Sequence, residues 1–214
     1  MRLVLLGPPG AGKGTQAVSI ESEYNIPHIS TGDILRDHVE RGTELGREAN
    51  VHMEEGLLVP DSIVVEMLLT RLEEPDAKEG FILDGFPRTL PQAVALDEAL
   101  RDRATPLTAV IDLKLPDGHV LQRLEARVQC AACKTPYNLV HSAPAVEGVC
   151  DRCGGKLIPR NDDKDAKIRR RLSEYHDAIP LLKDFYEARG IFHRIDADAS
   201  PSEVGQRLRA VLSG

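Results

Sequence analysis

The sequence predicts an α/β fold on a parallel five-stranded sheet, and three observations carry that reading. Five short apolar runs read as buried strands: Leu3–Leu6, His28–Ser30, Phe81–Asp84, Thr108–Leu113 and Ile191–Asp196. Helical periods with recognisable ends lie between them, an alternation that gives parallel strands with helices on both faces. One stretch, from about Arg127 to Asp163, breaks the rhythm with cysteines, glycines and prolines, and reads as an inserted subdomain.

In chain order, the first strand runs into a glycine-rich loop and a helix from Lys13 to Tyr24, which stops at Asn25, a residue tolerated in the left-handed conformation. Ser30-Thr31-Gly32-Asp33 has the hydroxyl-to-acid spacing of a capping box, for a helix that Gly42 closes. Thr43 and Gly56 bracket another short helix. Asp61 is expected to cap one whose apolar face carries Ile63, Val64, Met67 and Leu68. The helical pattern resumes near Asp165, and a last helix follows Pro201.

At 214 residues the chain can bury one substantial core, and its 42% hydrophobic and 29% charged content is that of a folded globular protein. The net charge of -7 argues against a general affinity for nucleic acid or an anionic membrane, both of which need a broad positive field. The apolar stretch Leu3–Leu6 is too short for a signal peptide or a spanning helix, so a cytoplasmic location is expected.

Gly7-Pro8-Pro9-Gly10-Ala11-Gly12-Lys13-Gly14-Thr15 follows a strand and opens a helix, the context a triphosphate-binding loop needs. Glycines let successive backbone N–H groups turn inward onto anionic oxygens, the helix start adds its positive end, and Lys13 supplies a mobile charge. The common form of the motif places Ser or Thr directly after the lysine; here that position is Gly14, with Thr15 following. Asp84 ends the Phe81–Asp84 strand, where an acid can position a hydrated magnesium ion or cap the turn at Gly85. Arg123 and Arg127 stand four apart on a helix, either a solvated basic face or a pair bridged by an anion.

All four cysteines fall in two pairs, Cys130-x2-Cys133 and Cys150-x2-Cys153, sixteen residues apart. That spacing matches a four-thiolate zinc ribbon. Two disulfides are the alternative, disfavoured in a reducing compartment, and iron also suits four thiolates. The Gly154-Gly155 pair relieves crowding around the ion, and His141, between the pairs, reads as a loop residue outside a completed ligand set.

Taken with Ser30-Thr31-Gly32-Asp33, Leu83-Asp84-Gly85-Phe86-Pro87-Arg88-Thr89 and Arg169-Arg170-Arg171-Leu172, these blocks closely resemble the adenylate kinases, in their bacterial long form with a zinc-bearing lid, over essentially the whole chain. The Gly14-Thr15 ending is normal in that family. The resemblance implies the nucleoside monophosphate kinase fold, with a core of residues 1–29, 60–125 and 164–214, an AMP-binding insertion at 30–59 and a lid at 126–163. It implies reversible phosphoryl transfer from Mg-ATP to AMP, giving two ADP, with Mg2+ carried by ATP and a structural Zn2+.

By motif, Gly10, Ala11, Gly12, Lys13, Gly14, Thr15, Arg127, Pro136, Tyr137 and the backbone of Ala199 would contact ATP. Thr31, Arg36, Leu57, Leu58, Val59, Gly85, Phe86, Pro87, Arg88 and Gln92 would contact AMP, with Arg160 and Arg171 on the acceptor-phosphate side. Lys13, Asp84, Arg88, Arg123, Arg160 and Arg171 would carry catalysis. Asp162 and Asp163 either pair with lid arginines or cap the helix from Asp165. A monomer that engages neither nucleic acid nor membrane is the family expectation.

Two rivals remain at this point. One is a UMP or CMP kinase, against which the long lid and the adenine-reading amide of Gln92 weigh. The other is a zinc-ribbon nucleic-acid-binding ATPase, which the acidic charge and 4% aromatic content disfavour.

Overall fold

An unbroken apolar run suits a strand covered on both faces, and β1 (Arg2–Leu6) is such a strand. Its alternate residues serve two cores: Val4 and Leu6 join Leu83 and Val110 on one face, while Leu3 and Leu5 join Ile82 and Ile111 on the other. The computed structural model describes every residue except 56, 141, 161, 162, 164 and 214. The expectations placed on Gly56, His141 and Asp162 lie outside the described residues.

After β1 come α1 (Lys13–Tyr24), β2 (His28–Ser30), α2 (Thr31–Glu40), α3 (Glu44–Glu55), α4 (Asp61–Arg71), a single 3-10 turn and β3 (Phe81–Asp84). Then follow α5 (Leu90–Asp102), β4 (Ala109–Lys114) and α6 (Asp117–Glu125). Three short strands, β5 (Arg127–Cys130), β6 (Pro136–Asn138) and β7 (Leu157–Pro159), precede α7 (Asp165–Glu187), β8 (Phe192–Asp196) and α8 (Pro201–Leu212).

The main sheet is parallel, in the order β2-β3-β1-β4-β8. In such sheets ligands sit beyond the carboxyl ends of the strands, where the order reverses. Here those ends carry the glycine-rich loop after β1 and Asp84 at the end of β3. The three short strands form a separate antiparallel sheet, β6-β5-β7, with its own core of Val128, Cys130, Cys150 and Leu157.

Strand ends differ from expectation by a residue: β1 begins at Arg2 because Arg2 pairs with Phe81, and β4 runs on to Lys114 because Lys114 pairs with Asp196. Two caps need correction. Pro60, not Asp61, is the N-cap of α4, and the Asp61 carboxylate turns instead to Thr89 and Gln92. The Ser30 hydroxyl does accept from Asp33 N, but the Asp33 carboxylate is drawn to Arg36 and leaves the capping box half made. A complete box forms at Ser200 and Glu203 ahead of α8. Asn25 ends α1 in the left-handed conformation, and Thr43 Oγ1 accepts from Gly46 N at the start of α3.

Helices α2 and α3 pack backbone to backbone through Gly46, where a Cβ would lie 2.1 Å from the His38 carbonyl oxygen. Replacing Gly46 by Ala must push the two helices apart. We expect Gly46→Ala to lower stability by about 1–3 kcal/mol, the usual cost of overpacking, read by urea unfolding. An unchanged midpoint would mean that the helices separate without cost.

Candidate active site

The glycine-rich loop turns between β1 and α1 with Gly10 and Gly12 at φ 79° and 92°, conformations that favour residues without a Cβ. Gly12 is the N-cap of α1. Lys13 folds back over this turn, its Nζ donating to the carbonyls of Gly7 at 2.8 Å and Pro8 at 3.0 Å. Burial pushes the Lys13 amine down to about 8; Asp84 opposes the fall, and Arg88, Arg171 and Arg127 add to it. Each of the three arginines thus acts on Lys13.

Asp84 sits beside the loop, its Oδ2 3.5 Å from where a Cβ on residue 14 would be. Glycine at that position keeps the carboxylate edge clear. His28, on the neighbouring strand, places Nε2 3.4 Å from Asp84 Oδ2, an ionic contact and not a well-formed hydrogen bond. Burial raises the Asp84 carboxyl, but His28, Lys13 and Arg88 outweigh it and hold the group below the usual range. His28 is itself buried, and Asp84 more than offsets that, raising its imidazole above the ordinary value. The sequence reading left His28 unassigned. No local sequence pattern marks it: the parallel register of β2 on β3, with Ser30 opposite Asp84, is what brings it there.

A pocket beside this loop brings together Thr31, Arg36, Leu57, Leu58, Val59, Gly85, Arg88, Gln92 and Arg171, nine of the residues that the motifs singled out for AMP. Thr31 Oγ1 donates to the Gly85 carbonyl at 3.0 Å, and Arg88 Nε does so at 2.8 Å, so the start of α2 and the turn after β3 fix one wall. Phe86, 1% exposed, stands behind that wall in the core, and neither it nor Pro87 lines the pocket. Arg160, just after β7, is also outside the lining, close enough to Asp33 to help Arg36 and Ser30 hold that carboxyl low against its burial.

The pocket also contains residues that sequence reasoning missed: Met53, Val64, Lys167 and Glu174 among them. Lys167, Arg171 and Glu174 share one face of α7 at spacings of four and three, which Arg171 alone would have pointed to. Burial raises the Glu174 carboxyl, opposed by Arg88, Arg170 and Arg171.

On the other side of the loop, Arg123 Nη2 donates to the carbonyls of Ala197 and Ala199, at 3.0 and 3.4 Å. The expected helical pairing of the two arginines needs correction: α6 ends at Glu125, and Arg127 opens β5 because it pairs there with Asn138. Arg127 makes a two-pronged contact with Asp163, which is 4% exposed; Arg127 Nε reaches Oδ2 at 2.6 Å. The two arginines therefore face different partners, and Asp163 lies 3.5 Å from Arg171 as well. Pro136 is exposed on β6. The hydroxyl of Tyr137 is 3.4 Å from Cys150 Sγ and accepts from Asp151 N at 2.8 Å.

The cysteine sulfurs lie within 4.8 Å of one another, with Cys130–Cys153, Cys133–Cys153 and Cys133–Cys150 at 3.4, 3.3 and 3.6 Å. These separations exceed the roughly 2.05 Å of a disulfide, and all four thiols are free. Four sulfurs about 2.3 Å from a tetrahedral zinc would stand slightly farther apart than this, so the set fits such an ion with little adjustment. The Thr135 hydroxyl, 3.1 Å from Cys133 Sγ, brings that thiol down to about 6. A Cβ on Gly155 would come 2.8 Å from Cys130 Sγ, whereas one on Gly154 would meet nothing, so the relief of crowding lies at the second glycine.

No helix among the described residues is long and apolar enough to cross a membrane. The family model for adenylate kinase matches residues 5–191. A curated adenylate kinase of Acetivibrio thermocellus is 45% identical over 214 residues, covering 100% of this chain and 99% of its own. One from Caldanaerobacter subterraneus is 46% identical over 214 residues, 100% and 97% of the two chains, and one from Archaeoglobus fulgidus 44% over 212 residues, 99% and 98%. With a phosphate loop, an adjoining cation-lined pocket and full-length similarity of this order, the chain belongs to the adenylate kinase family, enzymes of the nucleoside monophosphate kinase class.

Proposed function

We propose that this chain transfers the γ-phosphoryl group of Mg-ATP to AMP, reversibly, with ATP on the glycine-rich loop and AMP in the adjoining pocket. The observation that carries the reading is that Asp84 stands beside Gly14 of the glycine-rich loop while the next residue, Gly85, lines the adjoining pocket together with Arg88 and Arg171. A phosphate oxygen of AMP attacks the γ-phosphorus, the bond to the β–γ bridging oxygen breaks, and ADP leaves. The attacking oxygen is already ionised, so no general base is needed, and positioning with charge stabilisation does the work.

In this reading Gly10, Ala11, Gly12, Gly14 and Thr15 present backbone N–H groups to the phosphates, and Lys13 follows the outer ones. Asp84 would hold, through water, the magnesium that ATP brings, and the ion would supply charge neutralisation on the phosphates. Arg123 and Arg127 face the triphosphate, Arg88, Arg160 and Arg171 the acceptor phosphate, and Pro136, Tyr137 and Ala199 the ATP nucleoside. Residues 30–59 close over AMP and residues 126–163 over ATP, which excludes the water that would hydrolyse the donor. The four cysteines hold a zinc ion that stiffens the second of these units and takes no part in the chemistry. The protein acts as a cytoplasmic monomer.

A coupled assay with ATP and each monophosphate tests the assignment: AMP-dependent ADP formation is expected to exceed that with UMP or CMP, and its absence would sink the reading. Lys13→Met should cost about 100-fold in kcat/KM, as loss of one phosphate donor does.

The low amine of Lys13 gives a pH signature. Above about 8 the free enzyme holds Lys13 neutral, and a bound triphosphate favours the charged form, so binding must take up a proton. Mg-ATP affinity should therefore fall about tenfold between pH 7.5 and 9.5 in the parent and stay flat in Lys13→Met. Calorimetry in two buffers of different ionisation enthalpy reads the proton uptake directly.

Removing zinc with a chelator, or replacing Cys130 by Ser, should lower the melting temperature of the cysteine-bearing unit. Phosphoryl transfer at low temperature should remain detectable in both cases, and a loss confined to chemistry with stability unchanged would contradict a structural role.

A further inference from the structure

Asp61 belongs to none of the motifs, yet it sits where the amide of Gln92 is fixed. Gln92 is 2% exposed and lines the pocket beside the glycine-rich loop. Its Oε1 accepts from Arg88 N at 2.7 Å, and its Nε2 donates to Asp61 Oδ1 at 2.7 Å. A backbone N–H can only donate and an ionised carboxylate can only accept. These two neighbours therefore admit one orientation of the carboxamide and forbid its reverse. The other Asp61 oxygen accepts from Thr89 Oγ1 at 2.8 Å, and that hydroxyl oxygen accepts from Gln92 N at 3.2 Å, so the lock is tied at both ends of the glutamine.

We propose that Asp61 is a specificity-positioning residue: by fixing the end-for-end orientation of the Gln92 amide, it makes the pocket prefer a 6-amino purine monophosphate over a 6-oxo one. The inference rests on the reading of this pocket as the acceptor site. A 6-amino purine presents a donor amine beside an accepting ring nitrogen, and a 6-oxo purine presents an acceptor beside a donating ring N–H. Turning a carboxamide end for end exchanges its donor and acceptor, so the orientation decides which purine edge is matched and which leaves buried groups unpaired. Gln92 supplies the reading edge. Asp61, on the first turn of α4, acts through it.

The test measures kcat and KM with AMP and with inosine monophosphate, which differs from AMP in this edge. For Asp61→Ala we expect KM for AMP to rise about tenfold with kcat little changed, and the AMP-to-inosine-monophosphate preference to fall about tenfold, one hydrogen bond to a charged group being worth that much. Asp61→Asn, which can still offer an oxygen to Gln92 Nε2, should recover most of the preference. In a Gln92→Ala background, Asp61→Ala should change the preference no further, while KM for ATP stays at the parent value throughout.

A loss of melting temperature or overall rate with an unaltered preference would overturn the proposal, as would an equal loss of preference with Gln92 absent. Should Asp61→Ala not fold, Asp61→Ser carries the same comparison. A parent that phosphorylates no AMP would overturn the acceptor assignment itself, an outcome distinct from a parent that uses AMP and a variant that discriminates as well as it does.

Discussion

The constraint on which the rest of this structure depends is the burial of a cation, Lys13, with further positive charge around it. Lys13, Arg88, Arg127 and Arg171 come from α1, the turn after β3, β5 and α7, yet they are close enough for the three arginines to lower the lysine amine. Held together without anions, such a group costs the fold free energy, because like charges repel most strongly where water is scarce. Asp84 and Asp163 offset part of this cost, Asp163 by contacting both Arg127 and Arg171. Phosphates brought to the same place would offset more. A fold that keeps this cluster intact is one already adapted to polyanionic ligands.

The parallel sheet supplies the rigidity that such a cluster needs. Because β1 and β3 are paired in register, with Leu5 opposite Asp84, the start of the glycine-rich loop and the carboxylate are fixed relative to each other by backbone hydrogen bonds. The two smaller units are built differently. Helices α2 and α3 meet through a glycine contact, and the β6-β5-β7 sheet has a small hydrophobic core with two cysteines in it. A core of that size gives little stability by itself, and the four clustered cysteines, a set that could hold a metal ion, lie against it.

Local features were legible in the sequence. The five strands, the glycine-rich turn, the left-handed stop at Asn25 and the spacing of the cysteines each depend on a few neighbouring residues, and the chain writes them down directly. What escaped were pairings between distant segments. Asp61 reads as a helix cap because an acid at the start of an apolar helix normally is one; its real partners, Thr89 and Gln92, are about thirty positions away. His28 carries no local pattern at all, and only the pairing of β2 with β3 brings it to Asp84. Arg123 and Arg127 read as a helical pair, but α6 stops at Glu125 and the pairing of Arg127 with Asn138 draws it into β5, away from the carbonyls that hold Arg123.

Helix α7 is 23 residues long, about 35 Å at 1.5 Å per residue. Its first half carries Lys167, Arg171 and Glu174 into the pocket, and its far end is buried in the core through Ile179, Leu182 and Tyr186. Its near end follows Asp163, which grips Arg127 at the entry to β5. Two cores thus hold this one helix, Ile168 and Leu172 in one and Ile179, Leu182 and Tyr186 in the other, so Arg171 and Glu174 ride on a splint fixed at both ends.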